Sequence, residues 1–206
     1  MKISYGLTVC NEHNELENLI TYLTARIDNN DEIIVVYDQN RVTPEVISVI
    51  ENYKDKISSY PFNFQQNFLE NKNFMNSKCT GDYIFQIDAD EIPEEFLVEN
   101  LKALLIDNPV DLITTPRKNL VPGLTPEHIQ RWGWNVNEKG WVNFPDYQLR
   151  IYKRTDDVVW MNKVHETITG YTTFSNFPME EQWCLYHPKE IQRQEKQNDY
   201  YETIQR

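Results

Sequence analysis

The sequence predicts an α/β protein built on an open, mostly parallel sheet flanked by helices. Three observations carry this: short apolar runs rich in β-branched and aromatic residues recur along the first half of the chain, helix-period segments separate them, and helix start signals follow the runs at loop distance.

Ile3 to Cys10 reads as the first strand. Asn14-Glu15-Leu16-Glu17 follows as a capping-box pattern, with Asn14 as N-cap, and Leu16, Leu19, Ile20, Leu23 and Ile27 hold one helical face. Ile33 to Tyr37 is the continuous apolar run expected of a parallel strand covered on both faces. Thr43-Pro44 supplies an N-cap and a proline at the first helical position. Ser58 to Phe62 is a weaker third strand; Phe64, Phe68, Met75 and Cys79 keep helix-compatible spacing until Gly81, and Tyr83 to Ile87 forms a fourth strand. Pro93 is expected to open another helix with Leu97, Leu101, Leu104 and Leu105 on its inner face.

Beyond Val110 to Thr115 the pattern changes. Pro116, Pro122, Gly123 and Pro126 break the chain, Trp132, Trp134 and Trp141 crowd together in sequence, and regular patterning returns at Tyr147 to Lys153. The expected division is an α/β half at 1–115 and a second half at 116–206 within one continuous domain. Pro188 is expected to open a polar terminal helix that packs back through Ile191, Tyr200 and Tyr201.

With 206 residues, 40% of them hydrophobic, the chain has enough apolar surface to bury a core. The net charge of -12 argues against non-specific attraction to nucleic acid or an anionic membrane and favours a divalent cation as partner. Cys10, Cys79 and Cys184 are widely spaced and odd in number, so neither a disulfide framework nor a structural zinc site is expected, and the compartment is read as reducing. No apolar run reaches the roughly 18 residues of a membrane span, and the N-terminal apolar stretch is too short for a signal segment. The expectation is a cytoplasmic protein.

The stretch YIFQIDADE, residues 83–91, gathers three carboxylates directly after a core strand. Asp88 and Asp90 fall where the chain leaves the sheet, the edge at which open α/β sheets bind ligands. At i and i+2 of an extended segment both project to one side, so one can ligate a metal while the other ligates it or holds its water. Hard oxygen ligands suit Mg²⁺ or Mn²⁺, ions that share their coordination with substrate phosphates. The bland alternative is that these acids favour the N-terminal dipole of the following helix.

Longer stretches add a resemblance. LTVCNEHNELENL, IIVVYDQ and KNFMNSKCTGDYIFQIDADE resemble the first strand and loop, the second strand ending in an aspartate, and the helix, Gly-Asp turn and D-x-D strand of family 2 glycosyltransferases with the GT-A fold. FPDYQLRIYKRTDDVVWMNKVHETI resembles the distal part of small bacterial and phage members, where an Arg-containing strand precedes a Val-His-Glu segment. The resemblance covers most of the chain. It implies an inverting transfer of a sugar from a nucleoside-diphosphate sugar, most often a UDP-sugar, to an acceptor hydroxyl, with 1–115 as the donor-binding half and 116–206 on the acceptor side. It assigns nucleotide-sugar contacts to Glu12, Asp38, Lys72, Asn73, Asp88 and Arg150, and metal contacts to Asp90, Asp88 and His165, with His187 a second histidine candidate.

A transfer to a hydroxyl also needs a general base, for which Glu166 and Asp146 are both candidates. Trp132, Trp134 and Trp141 suit an acceptor platform and equally suit a local core. The acceptor is a glycan such as a lipooligosaccharide or a hydroxymethylated base of phage DNA; for the latter, Arg117, Lys118, Arg131, Lys139, Arg150, Lys153 and Arg154 concentrate basic residues in an acidic chain. A non-catalytic nucleotide-sugar or metal-binding module with the same fold is the competing reading. Glycine-rich dinucleotide and P-loop fingerprints and a G-x-S-x-G elbow are all missing.

Overall fold

The computed structural model describes residues 1–65, 67–162, 166–192, 194 and 195. Along the first part of the chain, strands and helices alternate: β1 (Ile3–Val9), α1 (His13–Thr24), β2 (Glu32–Asp38), α2 (Pro44–Asn52), β3 (Ser58–Phe62), α3 (Phe68–Lys78) and β4 (Tyr83–Asp88). A two-residue β5 (Ile92–Pro93) leads into α4 (Glu95–Asp107), followed by β6 (Leu112–Thr115), β7 (Arg117–Leu120), α5 (Pro126–Trp132) and β8 (Gln148–Lys153). The chain then adds β9 (Val159–Met161), β10 (Thr167–Thr169), β11 (Phe174–Asn176), a 3-10 turn (Glu181–Trp183) and β12 (Leu185–Pro188).

Seven strands form the main sheet in the order β11-β6-β8-β4-β1-β2-β3. β3, β2, β1 and β4 are parallel, and β8 enters antiparallel between β4 and β6. Side chains alternate across each strand, so the apolar run of β2 divides: Ile33 and Val35 pack with Leu16, Leu23, Val46 and Leu101, while Ile34 and Val36 face Met75, Tyr152 and Trp160. The helices thus cover both faces, as the unbroken apolar pattern requires. A smaller sheet, β5-β12-β7, brings residues 185–188 beside the D-x-D loop. Among the described residues no helix is long and apolar enough to cross a membrane.

Several boundaries differ from expectation for local reasons. The N-cap of α1 is Glu12 rather than Asn14, because the Glu12 carboxylate turns back to accept the Cys10 and Asn11 N–H groups and closes the turn early. Thr43 caps α2 as expected. Phe64 lies outside α3, whose N-cap is Asn67. Pro93 sits in β5 opposite Leu185, since Glu94 is extended and donates its N–H to the Cys184 carbonyl, and α4 starts after it. Pro188 ends β12 rather than opening a helix; residues 191, 192, 194 and 195 are helical, and the expected packing of Tyr200 and Tyr201 lies outside the described residues. The three tryptophans separate: Trp132 stacks on His128 and touches Trp134, whereas Trp141 is buried against Phe144.

Candidate active site

The carboxyl ends of β1, β2 and β4 and the N-terminal turns of α3 enclose a cavity of about 200 Å³ lined by Cys10, Glu12, Asp38, Phe68, Asp88 and Asp90, with Phe64 and Asn71 also on its wall. Parallel strands put these loops together: the β1–β2 and β1–β4 registers end within a residue of one another, so each following loop leaves the sheet at the same edge.

The acids of this cavity have different surroundings. Glu12 Oε2 takes the two loop N–H groups already described, and Asp38 Oδ1 takes the Asn40 N–H at 3.0 Å, so both carboxylates are held in place by backbone. Asp88 receives Arg150 Nη2 on Oδ2 and Gln86 Nε2 on Oδ1. Burial alone would raise the Asp88 pKa, but the charges of Arg150, Lys72 and Arg117 outweigh it and hold the carboxyl far below the usual range. Asp88 is thus held toward its ionised form by the Arg150 guanidinium.

Asp90 is placed differently. Its Oδ2 lies 3.6 Å from Nε2 of the buried His187, which β12 carries in beside the loop. Among the described residues no three His, Cys, Asp or Glu side chains form a ready cation cage. The carboxylate and imidazole of Asp90 and His187 are nonetheless a fitting donor pair for Mn²⁺, which takes its remaining ligands from phosphate and water.

Behind the D-x-D runs a buried chain of charges. Glu91, fully buried, accepts Arg117 Nη1 at 2.9 Å and Arg150 Nη2 at 2.7 Å on Oε1, and its other oxygen takes the Asp88 N–H. Arg117 continues to Asp146 Oδ2, which also receives Asn119 Nδ2, while Gln148 bonds Oδ1. Asp146, Arg117, Asn119 and His187 line a second cavity of about 280 Å³, with Trp134 and Lys189 on its wall.

On the other flank, Lys72 projects from α3 with Nζ 4.0 Å from the Trp160 ring centroid and 3.9 Å from Glu166 Oε2. Burial lowers the Lys72 pKa, and the nearby Asp88 charge works against that shift. Asn73 is spent on structure, since its amide pairs with both the N–H and the carbonyl of Trp160 and docks β9 on α3. Arg150 likewise faces Asp88 and Glu91 from below. His165 lies outside the described residues.

The structure thus brings together Glu12, Asp38, Asp88 and Asp90, with Lys72 coupled to Glu166 beside them. Trp141 stands apart as core. Sequence reasoning missed Phe64, Phe68 and Asn71 on the cavity wall, and it missed Glu91, Arg117 and Asn119. Glu91 was visible in the acidic run, but its partners come from positions 26 and 59 residues further on, and no spacing announces them.

A sheet of this order with a ligand crevice beyond the strand ends defines the GT-A class of α/β proteins. The profile described as Glycosyl transferase family 2 matches residues 4–183, and the chain belongs to that family. Similar solved structures include Staphylococcus aureus TarS 1-349 (TM-score 0.63, 13% identity, 91% of this chain and 60% of that one). The same protein in complex with UDP-GlcNAc gives 0.62 at 13% identity over 92% and 59%. Mannosyltransferase PcManGT from Pyrobaculum calidifontis in complex with GDP-Man and Mn²⁺ gives 0.50 at 14% over 74% and 44%. The chain spans about 60% of the TarS 1-349 length, and no curated protein sequence matches it significantly.

Proposed function

We propose that the protein is a metal-dependent, inverting glycosyltransferase that moves a sugar from a nucleoside-diphosphate sugar, a UDP-sugar foremost, to an acceptor hydroxyl. The observation that carries this is the juxtaposition of the Asp90–His187 pair with a cavity walled by Glu12 and Asp38 at the strand ends. The UDP-GlcNAc complex of TarS and the Mn²⁺ complex of PcManGT support the choice of donor and ion.

Asp38 and Glu12 are the acceptors for base N–H and ribose hydroxyl groups. Asp90 and His187 would hold Mn²⁺ or Mg²⁺, which would supply positive charge against the departing diphosphate. Lys72 adds a positive charge on the same side. Arg150 does its work indirectly, fixing Asp88 at the pocket floor. Asn73 acts through α3 as a docking residue.

Glu166 is the general base in this proposal. Asp146, the rival, has three N–H groups on one oxygen and one on the other, which leaves it poorly disposed to take a proton. The acceptor is a glycan hydroxyl. A glycan is preferred to a DNA acceptor because Arg117, Lys118 and Arg150 of the basic stretch are taken up in ion pairs with Glu91, Asp88, Glu94, Glu181 and Asp146. The resemblance to small bacterial and phage members and the three free cysteines fit an enzyme of a reducing cytoplasm.

Titration calorimetry with UDP is the test. UDP is expected to bind in Mn²⁺ and not in EDTA, and Asp90→Asn, nearly isosteric but lacking the charge, is expected to remove most of the metal-dependent affinity. Equal affinity in EDTA and Mn²⁺ would sink the metal site. Release of UDP from a UDP-sugar then separates an enzyme from a binding module.

A further inference from the structure

Asn119, on β7, has no part in the chemistry proposed above, yet its side chain joins His187, which does, to the Arg117–Asp146 pair. Its Nδ2 donates to Asp146 Oδ2 at 2.7 Å and to the Val142 carbonyl at 3.3 Å. Turning the amide over would press its oxygen against a carboxylate and a carbonyl, both acceptors, so the orientation is fixed. Asp146 cannot swing away to relieve this, because two nitrogens of Arg117 hold the same oxygen at 2.9 and 2.8 Å.

The fixed amide presents Oδ1 to His187 Nδ1 at 2.7 Å. An amide oxygen only accepts, so Nδ1 must carry the hydrogen. In a neutral imidazole the lone pair then resides on Nε2, the atom that faces Asp90 Oδ2. Their 3.6 Å separation is too long for an N–H···O hydrogen bond. Two neighbouring donor atoms of an octahedral cation at roughly 2.1 Å each lie about 3 Å apart, so the pair would close by roughly 0.6 Å around an ion. His187 is buried, with 3% of its surface exposed.

We propose that Asn119 is a positioning residue that selects the Nδ1–H tautomer of His187, so that the Nε2 lone pair and Asp90 Oδ2 are offered together to a divalent cation. The line runs Arg117–Asp146–Asn119–His187, four side chains spread over β7, the turn before β8 and β12. It gives Asp146 a task as an anchor for Asn119, compatible with the hydrogen bonds it already makes. The inference rests on the metal-dependent donor binding proposed above.

The test begins without metal or nucleotide. Long-range ¹H–¹⁵N correlation spectra of the histidine rings, with His187 assigned by its loss in His187→Gln, are expected to show the neutral Nδ1–H form. Asn119→Leu, which removes the acceptor, is expected to shift it toward Nε2–H. In Mn²⁺ titrations followed by electron paramagnetic resonance in the presence of UDP, Asn119→Leu should bind Mn²⁺ about 10- to 100-fold more weakly, the usual scale for removing an orienting partner of a metal-bound imidazole. An Nε2–H form in the wild-type protein overturns the proposal with no variant needed, and so does wild-type Mn²⁺ affinity in a folded Asn119→Leu. Unchanged Mn²⁺ affinity in His187→Ala overturns the ligand assignment itself, whereas the metal-free spectra judge Asn119 separately.

Discussion

Glu166 and Lys72 meet at 3.9 Å over the indole of Trp160, close enough to feel each other's charge and too far for a tight pair. Such a carboxylate is held near a cation without being consumed by it, which suits a proton acceptor. Glu166→Gln is therefore expected to retain UDP affinity and to lose about 10²- to 10⁴-fold in turnover, the scale for removing a general base. Near-normal turnover in that variant, with loss in Asp146→Asn at unchanged UDP binding, would move the base to Asp146. At this scale the sequence was informative where chemistry is local. Asp88 and Asp90 stand out by spacing alone and do share one cavity. It was silent where a role depends on a distant partner: Asn73 looks like a donor contact until Trp160 of β9 is folded against it, and Asn119 is one of many loop-like asparagines until Asp146 and His187 converge on it.

Elements were more legible than their ends. The β-α alternation from β1 to β4 follows from periodicity, because a strand covered on both faces and a helix covered on one have different patterns. Ends depend on single hydrogen bonds, such as those of Glu12 and Glu94, that no pattern records. Gly81 shows the difference. It follows α3 and reads as a helix stop, yet its position is fixed by β1: a Cβ there would lie 2.7 Å from the Ser4 nitrogen and 2.9 Å from the Ile3 carbonyl carbon. Its N–H also donates to Ser4 Oγ. Backbone cannot move aside as a flexible side chain can, so Gly81→Ala is expected to destabilise the fold by about 1 to 3 kcal/mol, as overpacking does. Urea unfolding checks this. A midpoint equal to wild type would mean the α3–β4 turn is looser than its contacts indicate.

Over the whole molecule, the acidic excess is partly converted into structure. Glu32 binds Lys2, Ser4 and Thr80, and these bonds outweigh the burial that would raise its pKa, holding it near about 2. Asp111, bonded by Thr172 and by the N–H groups of Thr172 and Thr173, is likewise lowered to about 2. Both folded pKa values lie below the ordinary 4.5 and 3.8, so the stability they lend is complete above those values and is lost as pH falls toward about 2. Thermal melting is expected to fall steeply across that window, and Glu32→Gln to flatten the fall; an unchanged slope would remove Glu32 from the account. The sheet order carries a consequence of another kind. β8 lies between β4 and β6 but is made last of the three, after a long excursion in sequence. As the chain emerges from the ribosome, four parallel strands and their helices are already available while the outer edge of β4 still shows a row of unsatisfied amides and carbonyls. That edge is a template for any passing strand, including one from another nascent copy, and it closes only through a contact of large sequence separation, the slowest kind to form. Arg150, which fixes Asp88 at the candidate site, therefore rides on the strand that decides whether the newborn sheet is sealed or left to aggregate.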